Sequence, residues 1–550
     1  MEVVPSIESY AGPKDKHTWL KWTIAALVAI LNGYAAVMMY ASGEWVFALL
    51  DLVVVSVGLY VFMNKKTYAH RYIFPGVAGM VVFIIFPLAY TIGIAFTNYS
   101  GSNLLSLEQA RDYHLKKSYK VAGGEFDFTL LGGENNQFQL LLKQDDQSFI
   151  SQPVSLMNNK ARELATREGR VQSTQQVVEL QPFTGEAASK AAPIRAIVEH
   201  RTHLSDLDLV LPDGGTHLTL SSLRKFAAQK QQYTRLMDGA VLKSGVVIKD
   251  SNLLRDTQTG ELMLPNGDTG FYQYIDEQGQ FVGKGMAPGF VVSVGWKNFV
   301  RIMTDPGIQG PFMQIFVWTV IFSACSVAFT LAIGMVMACL VQWEQLRGRG
   351  FYRVMLILPY AIPAFISILV FKGLFNQNFG EINMFLEAAF GIKPDWYTNP
   401  FLAKVMILIV NTWLGYPYMM ILCMGLLKAI PEDLYEASAM DGAGPVQNFF
   451  KITVPLLMKP LTPLLIASFA FNFNNFVLIQ LLTNGAPDII GASTPAGTTD
   501  LLVNYTYRIA FQGSGGQDYG LASAIATAIF LIVGALALLN LKLSKADKQQ

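Results

Sequence analysis

The chain of 550 residues is 52% apolar and only 15% charged, with a positive mean hydropathy, which describes a membrane protein with several spans better than a soluble enzyme. Its net charge of +1 gives no indication of nucleic-acid binding. The three cysteines, Cys325, Cys339 and Cys423, all lie in apolar runs, which excludes an exported disulfide framework.

Eight apolar runs are long enough to cross a bilayer, whose hydrocarbon core of about 30 Å takes about 20 helical residues. They cover residues 22–40, 45–63, 72–97, 315–341, 351–375, 402–427, 461–482 and 519–541. The first run follows Lys14, Lys16 and Lys21, as a signal peptide would, but its apolar core is longer than is usual for one. We therefore expect it to be a retained membrane anchor.

The basic residues of the short loops predict the orientation of the spans, because Lys and Arg mark the cytoplasmic side. They are Lys65, Lys66 and Arg71 after span two, Arg347 and Arg349 after span four, and Lys542, Lys545 and Lys548 after span eight. With eight spans these loops share one side of the membrane. Both termini are therefore expected in the cytoplasm.

The same orientation places residues 98–310 outside the cytoplasm, as one polar insertion between spans three and four. Its length is that of an independent domain. The stretch FDFTLLGGENNQFQLLL predicts a β-hairpin, LVLPDGGTHLTL predicts a second turn at residues 212–215, and SSLRKFAAQ from residue 221 is expected to be helical. We expect a β-rich domain that contacts a soluble extracytoplasmic partner, although a merely decorative insertion remains an alternative.

Familiar catalytic and cofactor motifs do not account for the chain. The sequence has no G-x-x-x-x-G-K-[ST] phosphate loop, and GSGGQDYG at residues 513–520 lacks the spacing of a dinucleotide site. His200, His203 and His217 have no accompanying metal-ligand pattern, so surface histidines are the favoured interpretation. No catalytic residue, metal site or cofactor is predicted in this chain.

Spans six and seven each carry polar residues at the i, i+3, i+4 and i+7 spacing of one helical face. The residues are Asn411, Leu414, Gly415 and Tyr418 on span six, and Ser468, Phe471, Asn472 and Asn475 on span seven. Each face is about 10.5 Å long, roughly the length of a disaccharide. Amides, hydroxyl groups and aromatic rings without charge suit a neutral sugar.

Two further features of these faces bear on the interpretation. Gly415 is expected to let a ligand approach the backbone, whereas Asn474 and Gln480 fall off the shared face and are expected to make interhelical contacts. The alternative for the whole set is that polar residues only join helices to one another, at about 0.6 kcal/mol per hydrogen bond.

The loop between the two spans, PEDLYEASAMDGAGPVQNFFKITVP at residues 431–455, predicts a short helix, a turn at Gly442 and a second helix from Pro445 into span seven. On physical grounds alone it is either a docking element or an ordinary interfacial loop. Its spacing resembles the EAA loop of the membrane subunits of ABC importers, with Ser438 where Ala is usual and Val454 where Leu is usual. The resemblance implies docking to an ATPase through Glu436, Ala437, Ser438, Gly442, Ile452 and Pro455.

The layout of the chain is similar to that of the larger, MalF-type membrane subunits of maltose/maltodextrin importers. NTWLGYPYMM at residues 411–420, SFAFNFNNFVLIQLLTNG at 468–485 and the large insertion after the third span carry this resemblance. It implies a type I ABC importer permease, an all-α polytopic membrane protein of eight transmembrane helices with a periplasmic β-rich domain at residues 98–310. It also implies that the eight residues on the two faces contact maltose.

The resemblance implies a set of partners in the bacterial inner membrane. They are a second homologous membrane subunit of the MalG type, two MalK-type ATPase subunits that bind ATP and Mg, a periplasmic maltose-binding protein, maltose or maltodextrin, and membrane lipid. Three alternatives are an ion- or proton-coupled secondary sugar transporter, an ABC permease for another neutral oligosaccharide, and a membrane receptor. The first predicts charged residues inside the membrane, which the central regions of spans six and seven lack, and the last leaves the EAA loop unexplained.

Overall fold

The structure is a computed structural model that describes residues 18–132, 136–145, 147–162, 176–185, 190–212, 216–237, 240–513 and 517–546. The chain forms two compact units, one made of Met1–Thr97 with Val294–Gln550 and the other of Asn98–Ser293. The first unit holds the apolar helices and the second holds two large β-sheets. The predicted helical membrane protein with an inserted β-rich domain is thereby confirmed.

Three apolar helices precede the insertion: α1 (Thr18–Ala41), α2 (Trp45–Met63) and α3 (His70–Ala95). α1 and α2 pack against each other as a helical hairpin. α3 contains one π-helical turn, Val81–Ile85, shortly before Pro87. Proline lacks an amide hydrogen and its ring crowds the preceding turn. The wider π-helical turn relieves the steric clash that Pro87 would cause in a regular α-helix.

The larger sheet of the inserted unit has eight strands in the order β1-β8-β7-β6-β5-β3-β2-β4. The strands are β1 (Ser118–Gly132), β2 (Gln137–Gln144), β3 (Gln147–Ser151), β4 (Val154–Ser155), β5 (Gln176–Pro182), β6 (Leu207–Val210), β7 (His217–Ser222) and β8 (Lys225–Gln231), and the helices of the unit are α4 (Leu107–Lys116), α5 (Ile194–Glu199) and α6 (Arg201–Ser205). Among the described strands of this sheet only β5 and β6 pair in parallel, and α5 and α6 lie in the connection between them.

The predicted hairpin is confirmed, because β1 and β2 pair antiparallel from Asp127 with Lys143 to Gly132 with Phe138. Its turn residues 133–135 lie outside the described residues, as do residues 213–215 of the second predicted turn. β6 and β7, on either side of that second turn, also pair antiparallel.

The helix predicted from residue 221 is wrong, since this stretch forms the end of β7 and the strand β8. β8 pairs with both β1 and β7, and Phe226 is fully buried with its ring 4.9 Å from that of Phe128. Pairing on both edges and burial of Phe226 outweigh the local helical preference of the sequence.

A smaller sheet has the order β15-β14-β13-β12-β9, and a two-stranded hairpin, β10 with β11, lies beside it in the chain. The strands are β9 (Tyr233–Arg235), β10 (Ala240–Val241), β11 (Val247–Ile248), β12 (Leu254–Asp256), β13 (Leu262–Asn266), β14 (Phe271–Ile275) and β15 (Phe281–Met286). Its core holds the fully buried rings of Tyr233 and Tyr272 against His114. Burial lowers the pKa of His114 below its usual value, so this ring is uncharged at neutral pH.

The expectation of surface histidines is wrong for two of the three residues. His200 and His203 are buried at 6% and 4% exposure, and the Met157 amide donates to His203 Nδ1 at 2.8 Å. His217 pairs with Asp208 at 2.8 Å. Within the described residues no three His, Cys, Asp or Glu side chains are grouped as metal ligands would be.

The inserted unit ends at Ser293, earlier than the predicted boundary at residue 310. The short helix α7 (Lys297–Thr304) belongs to the helical unit, where the buried Asn298 side chain donates to the Ala95 and Thr97 carbonyls. These bonds satisfy backbone carbonyl groups at the C-terminal end of α3, which have no partner within the helix. The polar composition of α7 therefore reflects an amphipathic helix at the end of a span.

The remaining helices build the second half of the helical unit. They are α8 (Pro306–Gln342), α9 (Arg349–Ala361), α10 (Ala364–Leu374), α11 (Glu381–Phe390), α12 (Pro400–Leu427), α13 (Asp433–Met440), α14 (Pro445–Phe473), α15 (Phe476–Leu482), α16 (Leu502–Phe511) and α17 (Tyr519–Ala546). The long α8 packs along α12 and α14. Its buried Thr319, Ser323, Ser326 and Thr330 form a hydroxyl stripe on one face.

Among the described residues, seven helices are long and apolar enough to cross a membrane. α9 and α10 together are also long and apolar enough, and count as an eighth span if the pair, bent by 92° at its junction, crosses as one segment. The predicted seventh span is wrong as an unbroken helix over residues 461–482, because α14 begins at Pro445 and ends at Phe473 and α15 starts anew at Phe476.

Candidate functional site

The eight polar-face residues of the two spans all line a single cavity of about 1190 Å³. They are Asn411, Leu414, Gly415 and Tyr418 from α12, Ser468, Phe471 and Asn472 from α14, and Asn475 from the junction that follows α14. The structure therefore brings together residues that lie as far apart in the sequence as Asn411 and Asn475.

Two interrupted helices meet at this cavity. Between α9 and α10, Ile362 has extended backbone angles, as expected for a residue before proline, and Pro363 follows it. Between α14 and α15, Asn475 leaves the helical region with a ψ of 72°. α10 packs against α15, so that both breaks open into the same space.

An amide network centred on Asn411 connects three helices beside the cavity. Asn411 Nδ2 lies 2.8 Å from Ser326 Oγ of α8 and 2.8 Å from Asn472 Oδ1 of α14. Asn475 Nδ2 donates to Asn411 Oδ1 at 3.1 Å, and Asn472 Nδ2 donates to the Ser468 carbonyl. These asparagines join helices and also line the cavity. Interhelical bonding and a ligand-facing surface are therefore not exclusive interpretations of the polar faces.

The aromatic side chains supply the open surface of the cavity. Phe471 is 73% exposed and Tyr418 is 41% exposed, whereas Asn411 and Asn472 are each only 7% exposed. Among the described residues that line the cavity, none carries a charged side chain. The arrangement can hold a neutral ligand by stacking on rings and by hydrogen bonds to amides and hydroxyl groups.

Gly415 has a structural role that the sequence did not indicate. A Cβ atom at this position would lie 2.8 Å from Thr330 Cγ2 of α8. Its lack of a side chain therefore allows α8 and α12 to pack closely, in addition to widening the cavity it lines.

The expectations for Asn474 and Gln480 are wrong. Asn474 lines the cavity, because the helix ends at Phe473 and the helical-face spacing does not extend past this point. Gln480 bonds to Asn484 at 2.7 Å, within its own segment and not between helices. The i+7 spacing predicted that Asn475 lies with the other residues of this face, and Asn475 does line the cavity. Its position results from the break after α14 and not from a continuous helix.

The bend between α9 and α10 forms a wall of the cavity that the helical spacing of spans six and seven does not predict. Tyr360, Ala361, Ile362 and Pro363 all line the cavity, and Tyr360 is 59% exposed. The signal was present in LPYAIPAF, residues 358–365, because proline interruptions of an apolar segment often mark the binding sites of transporters.

The loop at residues 431–455 forms the predicted short helix, turn and second helix. The short helix α13 has no buried residue, and Glu436 and Ala437 are exposed. It ends in a Schellman motif in which the Gly442 and Ala443 amides donate to the Ala439 and Ser438 carbonyls. Gly442 has a φ of +80°, as this motif requires.

Two side-chain bonds hold α13 against the start of α14. Ser438 Oγ donates to Asn448 Oδ1 at 3.0 Å, and the Tyr435 hydroxyl lies 2.9 Å from Thr453 Oγ1. Of the other residues in this set, Ile452 is partly buried and Pro455 is exposed. An exposed short helix is thus attached to the long helix that carries Phe471 and Asn472.

Three family models match the chain. "MalF, N-terminal region, transmembrane helices" matches residues 19–66, "Maltose transport system permease protein MalF P2 domain" matches 105–295, and "Binding-protein-dependent transport system inner membrane component" matches 330–543. The second match covers most of the inserted unit, and the third covers both the cavity and the exposed loop.

Relatives with the same description match over nearly their full length. The chain is 56% identical to the maltose/maltodextrin transport system permease protein MalF of Yersinia pestis over 97% of each chain. It is 55% identical to the protein of that description from Vibrio cholerae, over 98% of this chain and 97% of the relative. For Escherichia coli strain K12 the identity is 54% over 97% of this chain and 98% of the relative.

Proposed function

Since this chain belongs to the MalF family of maltose/maltodextrin transport system permeases, we propose that the cavity between its two interrupted helices holds the sugar during transport. The chain is the membrane permease subunit of an ABC importer for maltose and maltodextrins, and is not itself an enzyme. The observation that supports the cavity as the sugar site is its lining, which is uncharged and combines amides with two exposed aromatic rings.

The sugar is held by two kinds of contact. Phe471 and Tyr418 offer flat apolar faces to the pyranose rings, while Asn475, Ser468 and the edges of the Asn411–Asn472 pair bond to hydroxyl groups. Leu414 and Gly415 complete the wall of α12. A volume of about 1190 Å³ lies above the range of about 300–1000 Å³ common for small-molecule pockets, so the cavity has room for more than a disaccharide.

The loop with α13 is the docking element for the ATPase. Glu436, Ala437 and Ser438 lie on the exposed helix, Gly442 makes the turn, and Ile452 and Pro455 belong to the helix that leads to the sugar site. ATP and Mg bind to the ATPase partner and not to this chain. Because α14 is one helix from Pro445 to Phe473, with a π-helical turn at Phe449–Thr453, closure of the ATPase is carried along it to Phe471 and Asn472.

The chain is a multi-pass membrane protein that works with partner subunits of the importer. The complex we propose contains a second, MalG-type membrane subunit, two MalK-type ATPase subunits and a periplasmic maltose-binding protein. Both termini face the cytoplasm of a bacterial cell and residues 98–293 face the periplasm, because the basic residues of the short loops gather on the opposite side from the insertion. The inserted unit binds the sugar-binding protein.

The sequence relatives do not favour a secondary transporter or a permease for another class of solute. The described residues that line the cavity include no acidic or basic group for ion coupling. Lys404 lies in α12, but it is placed over the ring of Trp318 at 4.9 Å and does not line the cavity.

The cleanest test of the sugar site uses Phe471, because its exposed ring makes no interhelical hydrogen bond. Phe471→Ala should lower sugar uptake roughly two- to tenfold through lost stacking, without lowering ATP hydrolysis stimulated by the sugar-loaded binding protein. Uptake and hydrolysis are measured in the same reconstituted complexes. Phe530→Ala, a similar truncation of an exposed ring on α17 outside the cavity, should change neither. Equal uptake by the wild type and Phe471→Ala would contradict the assignment.

The docking turn is tested at Gly442. A Cβ at this position meets no atom within 4 Å, so a substitution acts through the backbone, whose φ of +80° costs other residues about 1–2 kcal/mol. Gly442→Leu should insert into the membrane but fail to couple ATP hydrolysis to uptake. Gly442→Asn should keep most of the coupling, because Asn tolerates this conformation. Normal uptake by Gly442→Leu at normal abundance would count against the docking role.

The inserted unit is tested by its removal. The Val294 amide donates to the Phe96 carbonyl at 2.8 Å, so the two ends of the helical unit lie side by side and a short linker can replace residues 98–293. The shortened chain should still assemble with its partners but bind the sugar-binding protein roughly a hundredfold more weakly, as when one of two linked contacts is lost. Unchanged affinity in a sedimentation assay with reconstituted complexes would show that this unit is not the receptor.

A further inference from the structure

The short helix α15 forms one wall of the cavity, yet it has only seven residues. Phe476, Val477 and Leu478 of its first turn line the cavity directly after Asn475. A helix of this length has little stability of its own, so its position is set by the groups that hold its ends. Both ends are held by residues from outside the cavity.

The segment beyond α15 is held by Arg508, which pairs with the buried Asp500 and with the exposed Asp488. Arg508 of α16 donates from Nη1 to Asp500 Oδ2 at 3.1 Å and from Nη2 to Asp488 Oδ1 at 2.8 Å. Asp500 is completely buried and Arg508 is 9% exposed. The Gly497 amide also donates to Asp500 Oδ2, at 2.7 Å.

This ion pair packs directly on the residues that end α15. A Cβ at Gly485 would lie 2.2 Å from Asp500 Oδ1 and 2.7 Å from Arg508 Nη1. Gly485 has a φ of +82°, and its carbonyl accepts a bond from the Thr499 amide. The turn that directly follows α15 is therefore packed against the guanidinium group of Arg508 and the Asp500 carboxylate.

The first turn of α15 is held from the same helix, α16. Asn504 is 1% exposed, and its Nδ2 donates to the Phe476 carbonyl at 3.0 Å. α16 is in turn anchored to α8, because the Leu502 amide donates to Thr319 Oγ1 and the Trp318 indole donates to the Thr499 carbonyl. One helix thus connects both ends of α15 to the longest span of the unit.

We propose that Arg508, Asp500 and Asn504 are positioning residues for the sugar path, which hold α15 so that Asn475 and Phe476 keep their place in the cavity wall. The proposal rests on the proposed function, since it takes the cavity to be the sugar site. The residues do not touch the sugar. A lysine in place of Arg508 keeps the positive charge but has no planar fork, so it cannot bond to Asp500 and Asp488 in the same geometry.

The test compares sugar uptake with ATP hydrolysis in the complete reconstituted importer. Arg508→Lys should lower the amount of sugar taken up per ATP hydrolysed by about tenfold, because a small displacement of a binding wall is enough to impair a positioned ligand. Asn504→Leu, which has nearly the same volume and removes only the bond to the Phe476 carbonyl, should lower the ratio several-fold. A defect of folding alone would reduce uptake and hydrolysis in proportion and leave the ratio unchanged.

Arg301→Lys is the matched control. Arg301 pairs with Asp518 at 2.9 Å, half-buried in the same unit, and this pair joins α7 to the start of α17 and not to α15. The ratio should stay at the wild-type value in this variant. An unchanged ratio in Asn504→Leu and in any Arg508→Lys complex that assembles, or an equal fall in Arg301→Lys, would overturn the proposal.

Phe471→Ala, measured in parallel, separates this proposal from the sugar site itself, because the exposed Phe471 ring takes no part in the amide network. If Phe471→Ala lowers uptake per ATP while Arg508→Lys and Asn504→Leu do not, the cavity is the sugar site and the positioning role is wrong. If Phe471→Ala has wild-type uptake and ratio, the cavity is not the sugar path, and the positioning proposal falls with it.

Discussion

Backbone amides and carbonyls inside a membrane must find hydrogen-bond partners within the protein, and the two interrupted helices of this chain depend on that constraint. Where α14 stops at Phe473, the Asn474 and Asn475 amides donate to the Phe471 and Asn472 carbonyls, and the Asn474 side chain donates to the Ala470 carbonyl. The polar groups that make the break tolerable are also the groups that make the cavity polar. The polar lining of the cavity and the stable broken helix are here consequences of the same asparagines.

This double use explains why the polar faces could be interpreted in two ways. An interhelical hydrogen bond in a membrane is worth only about 0.6 kcal/mol on average, so stability alone gives little reason for three asparagines around one point. Asn411 and Asn472 are nearly buried and join α8, α12 and α14, whereas Phe471 and Tyr418 stand open in the cavity. The asparagines fix the frame, and the rings present the surface that a sugar would contact.

The apolar spans, the hairpin of β1 and β2 and the turn at Gly442 could be predicted from the sequence, because each follows from local periodicity or from a backbone angle that only certain residues adopt. The strand β8 could not, since its state is decided by pairing with β1 and β7 at positions far away in the chain. The same limit applies to the site. The helical spacing identified eight residues that line one cavity. It did not identify Asn474 and Tyr360, because a helical wheel assumes an unbroken helix.

The central claim is that sugar passes through the cavity between the two interrupted helices. The most direct measurement is a structure of the complete importer, trapped with maltotriose after release from the binding protein. We expect density for the sugar in the cavity, with a pyranose ring within about 4 Å of the Phe471 or Tyr418 ring and a hydroxyl group within hydrogen-bond distance of Asn475. Sugar bound at another place in the membrane, with no sugar density in this cavity, would contradict the account.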